Sequence, residues 1–480
     1  MATKTVPFLG RERELALLRR FLHKKTASLL VIKGRRRIGK SRLVEEFAKD
    51  MKFLSFAGLA PNEKTNAQSQ RDEFARQLNE QTGLPKVNAD DWSKLFALLA
   101  EKTQTGRIIL FFDEISWMGS EDADFAAKIK NAWDTQFKKN PELIFILCGS
   151  ASFWIEKNIL SHTGFVGRVS HTLTLEELPL KDCSYFWGRN TTQVAAFEKF
   201  KILSVTGGVP RYLEEINPHL SAEENIRLLC FSKGGMLVNE FDQIFSSLLK
   251  RNSPVYRKIV QALTHEAKDT ITIGKELNIP VTGLLSEYLE ELVTAGFIKR
   301  DYTWDIKSKH NARLSKYRLS DNYLRFYLRY IYKYRDRIER DMFAFKQVAS
   351  LPEWNIIMGL QFENLVLNNR QYIHQALGIT AQDIVNDNPF FQNHTKKQRG
   401  CQIDYLIQTN FDTLYVCEIK FSRNLVGTEI IDTMQQKIAQ INRPKGFSCH
   451  PVLIHVNGVS EEVITSNYFA AIVDMSTLIS

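Results

Sequence analysis

"LLVIKGRRRIGKSRLVEEFAKD", Leu29–Asp50, decides how the first part of the chain reads. The run "SLLVIKG", Ser28–Gly34, is short, apolar and rich in branched residues, which suits a strand buried on both faces of a parallel sheet. After it, "SRLVEEFAKD" sets Leu43, Val44 and Phe47 at helical spacing. Between strand and helix stand Gly34, Arg35, Arg36, Arg37, Ile38, Gly39, Lys40, Ser41 and Arg42, in the pattern G-x-x-x-x-G-K-S/T. Glycines let the backbone wrap a phosphate, and the N–H groups at the helix start face the anion. Lys40 is placed to reach terminal phosphates and Ser41 to ligate Mg²⁺, so the loop reads as an ATP site. The three arginines fall in the variable part of the loop. Their side chains are expected to face solvent or a neighbouring subunit, and they need no nucleic-acid role.

Such a loop requires an acid to complete its metal site. "RIILFFDEISWM", Arg107–Met118, supplies Asp113 and Glu114 at the end of a second apolar run. Asp113 is expected to hold magnesium, mainly through water, and Glu114 to orient the attacking water as general base. Asp113 at a strand end also suits a helix N-cap. A third apolar run, "LIFILCGSASF", Leu143–Phe153, is followed by Ser150 or Ser152, candidates for sensing the γ-phosphate or plain turn serines. Arg168 is a candidate phosphate contact, within the chain or across a subunit boundary, or an ordinary surface arginine. "TGGVPRYLEEI", Thr206–Ile216, puts Pro210 and Arg211 at a helix start, where they could line the nucleotide.

"FLGRERELALLRRF", the loop, "LFFDEISWM", "LCGSAS", Gly167–Arg168 and "GGVPRYL", in that order, resemble the archaeal and bacterial ATPases of the AAA+/STAND group. The resemblance covers the first 230 residues or so. It implies an α/β fold: a P-loop NTPase parallel sheet with the loop strand central, flanking helices and a helical lid. It also implies that Glu12 lies near the nucleotide and that ATP serves as a conformational switch.

Composition sets wider bounds. With 480 residues, 44% apolar and 11% aromatic, the chain suits a multidomain globular protein, and the net charge of +10 favours an anionic partner. Six cysteines lie scattered with no C-x-x-C pair, and no run is long and apolar enough for a membrane span. The simple reading is a reduced, cytoplasmic protein without a membrane partner. Three domains are expected, at 1–235, 236–340 and 341–480.

The middle stretch Ser253–Tyr302 orders three helical patterns before "FIKRDY", the plan of a winged helix. Glu287, Glu290 and Glu291 make its third helix acidic, so DNA reading and a protein contact stay level. In "YLRFYLRYIYKYRDRIER", Tyr323–Arg340, aromatics interleave with arginines, but Leu324, Tyr327, Leu328 and Ile331 already form one apolar helix face.

"GCQIDYLIQTNFDTLYVCEIKFS", Gly400–Ser422, reads as two strands joined at "TNFD". Glu418 and Lys420 are two apart, so they share a face, and Asp404 lies on the neighbouring strand. Two carboxylates could hold magnesium, and Lys420 could stabilise developing charge. The pattern resembles the PD-(D/E)xK nuclease superfamily, with Ile403 where a proline often precedes the first acid. The resemblance implies a C-terminal restriction-endonuclease-like α/β domain. It adds Glu363 from an earlier helix, and Gln435 or Gln436 from a later one, as site residues. Glu418 and Lys420 could equally be a plain ion pair on a solvated face. Two readings follow: an ATPase whose nucleotide state controls a Mg²⁺-dependent nuclease acting on DNA, and a non-cleaving ATP switch. Further copies of the chain are a candidate partner in either.

Overall fold

The computed structural model describes residues 7–62, 64–85, 87–150, 153–248, 253–345, 347–396 and 398–479. Packing divides the chain into two compact units. One is Met1–Glu177 with the short segments Ser246–Lys250 and Thr294–Gly296, and the other is Leu178–Phe245, Arg251–Val293 and Phe297–Ser480.

In the first unit, β1 (Ser28–Gly34), β2 (Lys52–Ala57), β3 (Ile108–Asp113), β4 (Leu143–Ser150) and β5 (Val169–Thr174) form one sheet in the order β2-β3-β4-β1-β5. Every pair is parallel. The unbroken apolar runs follow from burial of both faces. Leu29, Val31, Leu110, Phe112, Phe145 and Leu147 enter one core, with Phe74, Trp92 and Phe125 from covering helices. Their neighbours Leu30, Ile32, Ile109, Phe111, Ile144 and Ile146 enter the other, with Leu15, Leu18, Leu43, Val44 and Phe47. Alternate residues thus serve opposite faces, each fully buried side chain contributing about 1.5–3 kcal/mol. One expectation is corrected: β4, not the loop strand β1, is central. β4 inserts between β1 and β3, which brings the ends of all three strands together.

The second unit holds a five-stranded sheet of β8 (Ile384–Gln392), β9 (Cys401–Thr409), β10 (Thr413–Ile419), β11 (Ser448–His455) and β12 (Ala471–Asp474), ordered β12-β11-β10-β9-β8. Strands β8–β10 run antiparallel, while β11 and β12 join in parallel. The helix Trp354–Asn368 precedes β8, and the helix Glu429–Gln440 connects β10 to β11. The helices from Leu180 to Cys230, expected as a lid on the first domain, pack here. Phe200, Ile202, Leu203 and Leu213 share one core with Phe362, Leu365, Tyr405, Ile407, Cys417 and Ile419. Residues 178–235, expected with the first domain, therefore belong by packing to the second unit.

Helices Ser253–Ala262, Thr270–Leu277 and Gly283–Thr294 precede the antiparallel hairpin β6 (Ile298–Trp304) and β7 (Asn311–Leu319). The hairpin's apolar tip is not free. Trp304 and Ile306 are buried with Phe390, Ile403, Leu406 and Met434, and the Trp304 indole donates to Gln408 Oε1 at 2.5 Å. The aromatics of 323–331 are core as well: Tyr323, Phe326, Tyr327 and Tyr330 are almost wholly buried. One of the interleaved arginines turns inward, Arg325 donating to Gln361 Oε1 at 2.8 Å and to the Leu319 carbonyl at 2.7 Å.

Candidate functional sites

The loop after β1 is held from several sides. Gly34 must be glycine because a Cβ there would run into the Leu175 carbonyl oxygen. Gly39 precedes the helix Lys40–Ala48 in the left-handed region at φ 86°. Lys40 is buried, and its ammonium donates to the Gly34 and Arg35 carbonyls, both at 3.0 Å. Those carbonyls satisfy the charge where a phosphate oxygen would compete for it.

The arginines depart from expectation. Arg35 is buried in an ion pair with Glu177 at 3.2 Å, and Arg36 lies over the Trp117 ring at 5.3 Å. Arg37, at φ 68°, is exposed, as is Arg42 on the helix behind it. Two of the three loop arginines therefore brace the loop. Another brace escaped the sequence reading. Arg11 is buried and donates to the Ile38 carbonyl at 3.2 Å and the Glu176 carbonyl at 2.5 Å, while Glu12 beside it is exposed. The signal lay one residue away, in the arginine of the same "GRE" segment.

Ser41 and Asp113 converge, with Ser41 Oγ donating to Asp113 Oδ2 at 2.5 Å. A hydroxyl and a carboxylate at one point are a hard-oxygen donor set that fits magnesium. Asp113 also accepts the Glu114 N–H at 2.9 Å. Glu114 takes a left-handed turn at φ 48° that aims its carboxylate at the end of β4, where the Ser150 N–H donates at 3.4 Å and its hydroxyl at 3.3 Å. Burial raises the Glu114 carboxyl above the ordinary glutamate range, with Lys40 pulling the other way. The structure thus joins Ser150 to the acid pair. Ser152 lies outside the described residues. Arg168 is committed locally, its Nε and Nη2 gripping the Asp134 carboxylate at 2.8–2.9 Å. Pro210 opens the short helix Pro210–Leu213 in the second unit, and Arg211 pairs with Glu214 and Glu215 at 3.2 and 2.8 Å.

In the second unit, the β9–β10 register pairs Tyr405 with Cys417, and one step further sets Asp404 opposite Glu418. Asp404 Oδ2 accepts the Ile419 N–H at 3.0 Å. Lys420 Nζ lies 2.9 Å from Glu418 Oε1. The later helix contributes neither expected glutamine, since Gln435 and Gln436 are exposed. Lys437 takes that place, donating to Glu418 Oε2 and lying 3.4 Å from Asp404 Oδ1. Met434, buried beneath, fixes the helix face one turn earlier. Burial, then the Glu418 charge, pushes the Asp404 carboxyl up. Glu363 joins the group electrostatically: burial, reinforced by Asp404, pushes its carboxyl up to about 8. Among the described residues no cluster of three or more His, Cys, Asp or Glu has the arrangement of a metal site. The facing pair Asp404 and Glu418 still fits a magnesium ion that takes its other ligands from water and substrate.

Residues 8–216 match a family of ATPase domains found predominantly in Archaea. The chain is 24% identical over 366 residues to an uncharacterized protein of Methanocaldococcus jannaschii, covering 75% of this chain and 76% of that protein. Among solved structures it resembles a Walker-type ATPase of Pyrococcus abyssi, with 18% identity, 67% of this chain and 96% of that chain covered, and a TM-score of 0.49. It also resembles the ORC2 protein of Aeropyrum pernix, with 15% identity, 70% and 96% covered, and a TM-score of 0.42. The loop geometry, the Asp113–Glu114 pair and the match over 8–216 together give the first unit the character of a P-loop ATPase domain.

Proposed function

We propose that the protein couples ATP binding and hydrolysis in its first unit to a magnesium-dependent nuclease-like site acting on DNA in its second. Asp404, Glu418 and Lys420 on paired strands, joined by Glu363, carry this reading. The element order helix, β8, β9, β10, helix, β11 supports it, being the plan expected of the PD-(D/E)xK resemblance.

At the first site, Lys40 exchanges its two loop carbonyls for phosphate oxygens. Ser41 and Asp113 would hold the magnesium that accompanies ATP, and Glu114, steadied by Ser150, would take the proton of the attacking water. Pro210 and Arg211 enter this reading on their sequence motif alone. At the second site, a bound magnesium would polarise a phosphodiester and acidify its water. Asp404 and Glu418 would be its ligands. Lys420 orients on Glu418 and meets charge developing on the phosphate.

Purified protein is expected to cut DNA with Mg²⁺ or Mn²⁺, and the pair Asp404→Ala and Glu418→Ala to abolish cutting while ATP binding persists. No cleavage with any divalent ion, with or without ATP, removes the nuclease. The second reading, an ATP switch whose C-terminal sheet only binds, then stands. It is favoured by one observation: Lys437 already neutralises both acids.

A further inference from the structure

A net charge of +10 must surface somewhere. In the aromatic stretch Arg325 is the one buried cation, and the exposed Lys333, Arg337 and Arg340 alternate with Asp336, Glu339 and Asp341. Arg329 and Arg335 pair with Glu353 and Asp242. The hairpin tip is packed, and the helix Gly283–Thr294 exposes Leu284 with Glu287 and Glu290. None of these offers a polyanion an uninterrupted positive surface.

Two loops do. One spans 393–400 between β8 and β9, and the other 441–447 before β11. Neither contains an aspartate or glutamate. Lys396, Arg399, Arg443 and Lys445 are all exposed, and none forms an ion pair among the described residues. Side-chain amides staple the loops together. Gln392 Nε2 donates to the Arg399 carbonyl at 2.6 Å and the Gln440 carbonyl at 2.9 Å, while its Oε1 accepts the Asn442 N–H at 3.0 Å. Asn442 Nδ2 donates to Gln398 Oε1 at 3.0 Å, and Gln398 Nε2 to the Asn393 carbonyl at 3.1 Å. Arg443 Nη1 is anchored on the Ile438 carbonyl at 2.9 Å. The cations therefore stand on loops tied to each other, with the Arg443 guanidinium itself anchored.

That surface adjoins the acid pair. Cys401, two residues beyond Arg399, has its Sγ 3.6 Å from the carbonyl of Lys437, whose ammonium touches Glu418 and Asp404. We propose that these two loops bind the phosphodiester backbone of DNA and lead it to Asp404 and Glu418. The inference rests on the nucleic-acid reading above and names the residues that serve it. Four exposed cations on two stapled, acid-free loops concentrate positive charge, and a polyanion that neutralises them releases its counterions. Exposed cations spread over two loops suit successive backbone phosphates rather than one enclosed phosphate group.

The test is fluorescence anisotropy of full-length protein with labelled duplex DNA, single-stranded DNA and RNA across a salt series. The combined variant Lys396→Gln, Arg399→Gln, Arg443→Gln and Lys445→Gln should weaken duplex binding about tenfold or more at 0.1 M salt. It should also flatten the log–log salt slope by about 3–4, near 0.9 for each phosphate that is no longer neutralised. Lys396→Gln with Lys445→Gln, which leaves the backbone hydrogen bonds of both loops in place, should give about half that change in slope. Lys275→Gln with Lys307→Gln, among the middle helices and their hairpin, should leave binding unchanged. If wild type binds DNA and the combined variant binds it equally well, the surface is overturned and the DNA reading survives. Binding of RNA alone overturns the choice of DNA. Binding of none of the three at low salt overturns both the surface and the reading it rests on.

Discussion

Replacing Lys437 by methionine tests the second site most directly. Its ammonium bridges Glu418, whose side chain is 3% exposed, and Asp404, 14% exposed, while Lys437 itself is 23% exposed. Removing one partner of a buried ion pair costs about 3–5 kcal/mol, because the remaining charge has lost its compensation. Here Lys420 still holds Glu418 at 2.9 Å, which places the loss at the low end, about 3 kcal/mol at neutral pH. The pH dependence has a definite sign. The folded Asp404 carboxyl already titrates above its ordinary range through burial and the Glu418 charge. Without Lys437 it rises further. A raised carboxyl binds its proton more tightly when folded, so stability grows as pH falls toward the ordinary carboxylate range and is lost as pH rises through the folded value. Urea denaturation of wild type, Lys437→Met and Lys437→Arg between about pH 5 and 8 reads this directly. The methionine variant should lose most at the alkaline end, and the arginine variant little. Magnesium should stabilise the methionine variant more than wild type, because the two carboxylates no longer share an internal cation. A methionine variant within about 0.5 kcal/mol of wild type, flat with pH and indifferent to magnesium, would refute the bridge.

Four further variants test the remaining acids and cations. Lys40→Ala should abolish binding of a fluorescent ATP analogue. Glu114→Gln should bind normally but slow turnover by about 10²–10⁴-fold, and in wild type the acidic limb of turnover should lie above the ordinary glutamate range because burial raises that carboxyl; equal turnover in wild type and both variants removes the assignment. Glu363, raised to about 8, should make wild-type stability fall as pH rises from near 4.5 to about 8, and Glu363→Gln should flatten that slope in the same urea titration. Arg168→Ala should cost little stability, because Lys130 and Lys138 still pair with Asp134, and should leave ATP turnover intact, whereas lost turnover with normal folding would place Arg168 at a phosphate.

Local chemistry is legible in the sequence wherever period and backbone dictate it. Buried parallel strands require unbroken apolar runs, so β1, β3 and β4 can be read directly. A phosphate loop requires glycine, lysine and serine between strand and helix, so Gly34, Gly39, Lys40 and Ser41 stand out, with Asp113 and Glu114 at the next strand end. The two-residue period of a strand puts Glu418 and Lys420 on one side. Only tertiary structure decided what meets them across the chain. Ser150 reaches Glu114 because β4 ends beside the short turn that follows β3. Arg11 reaches Ile38 across 27 residues, which no local pattern encodes. Lys437 displaces the expected glutamines because Met434 fixes which face of its helix turns to the sheet. The hairpin reads locally as the wing of a middle module, and the helices from Leu180 onward as a lid on the first domain. Trp304, Phe200 and Leu203 are nonetheless buried in the cores around the C-terminal sheet. Apolar surface is covered by whatever packs best on it, and that choice is made by the assembled fold rather than by any one segment.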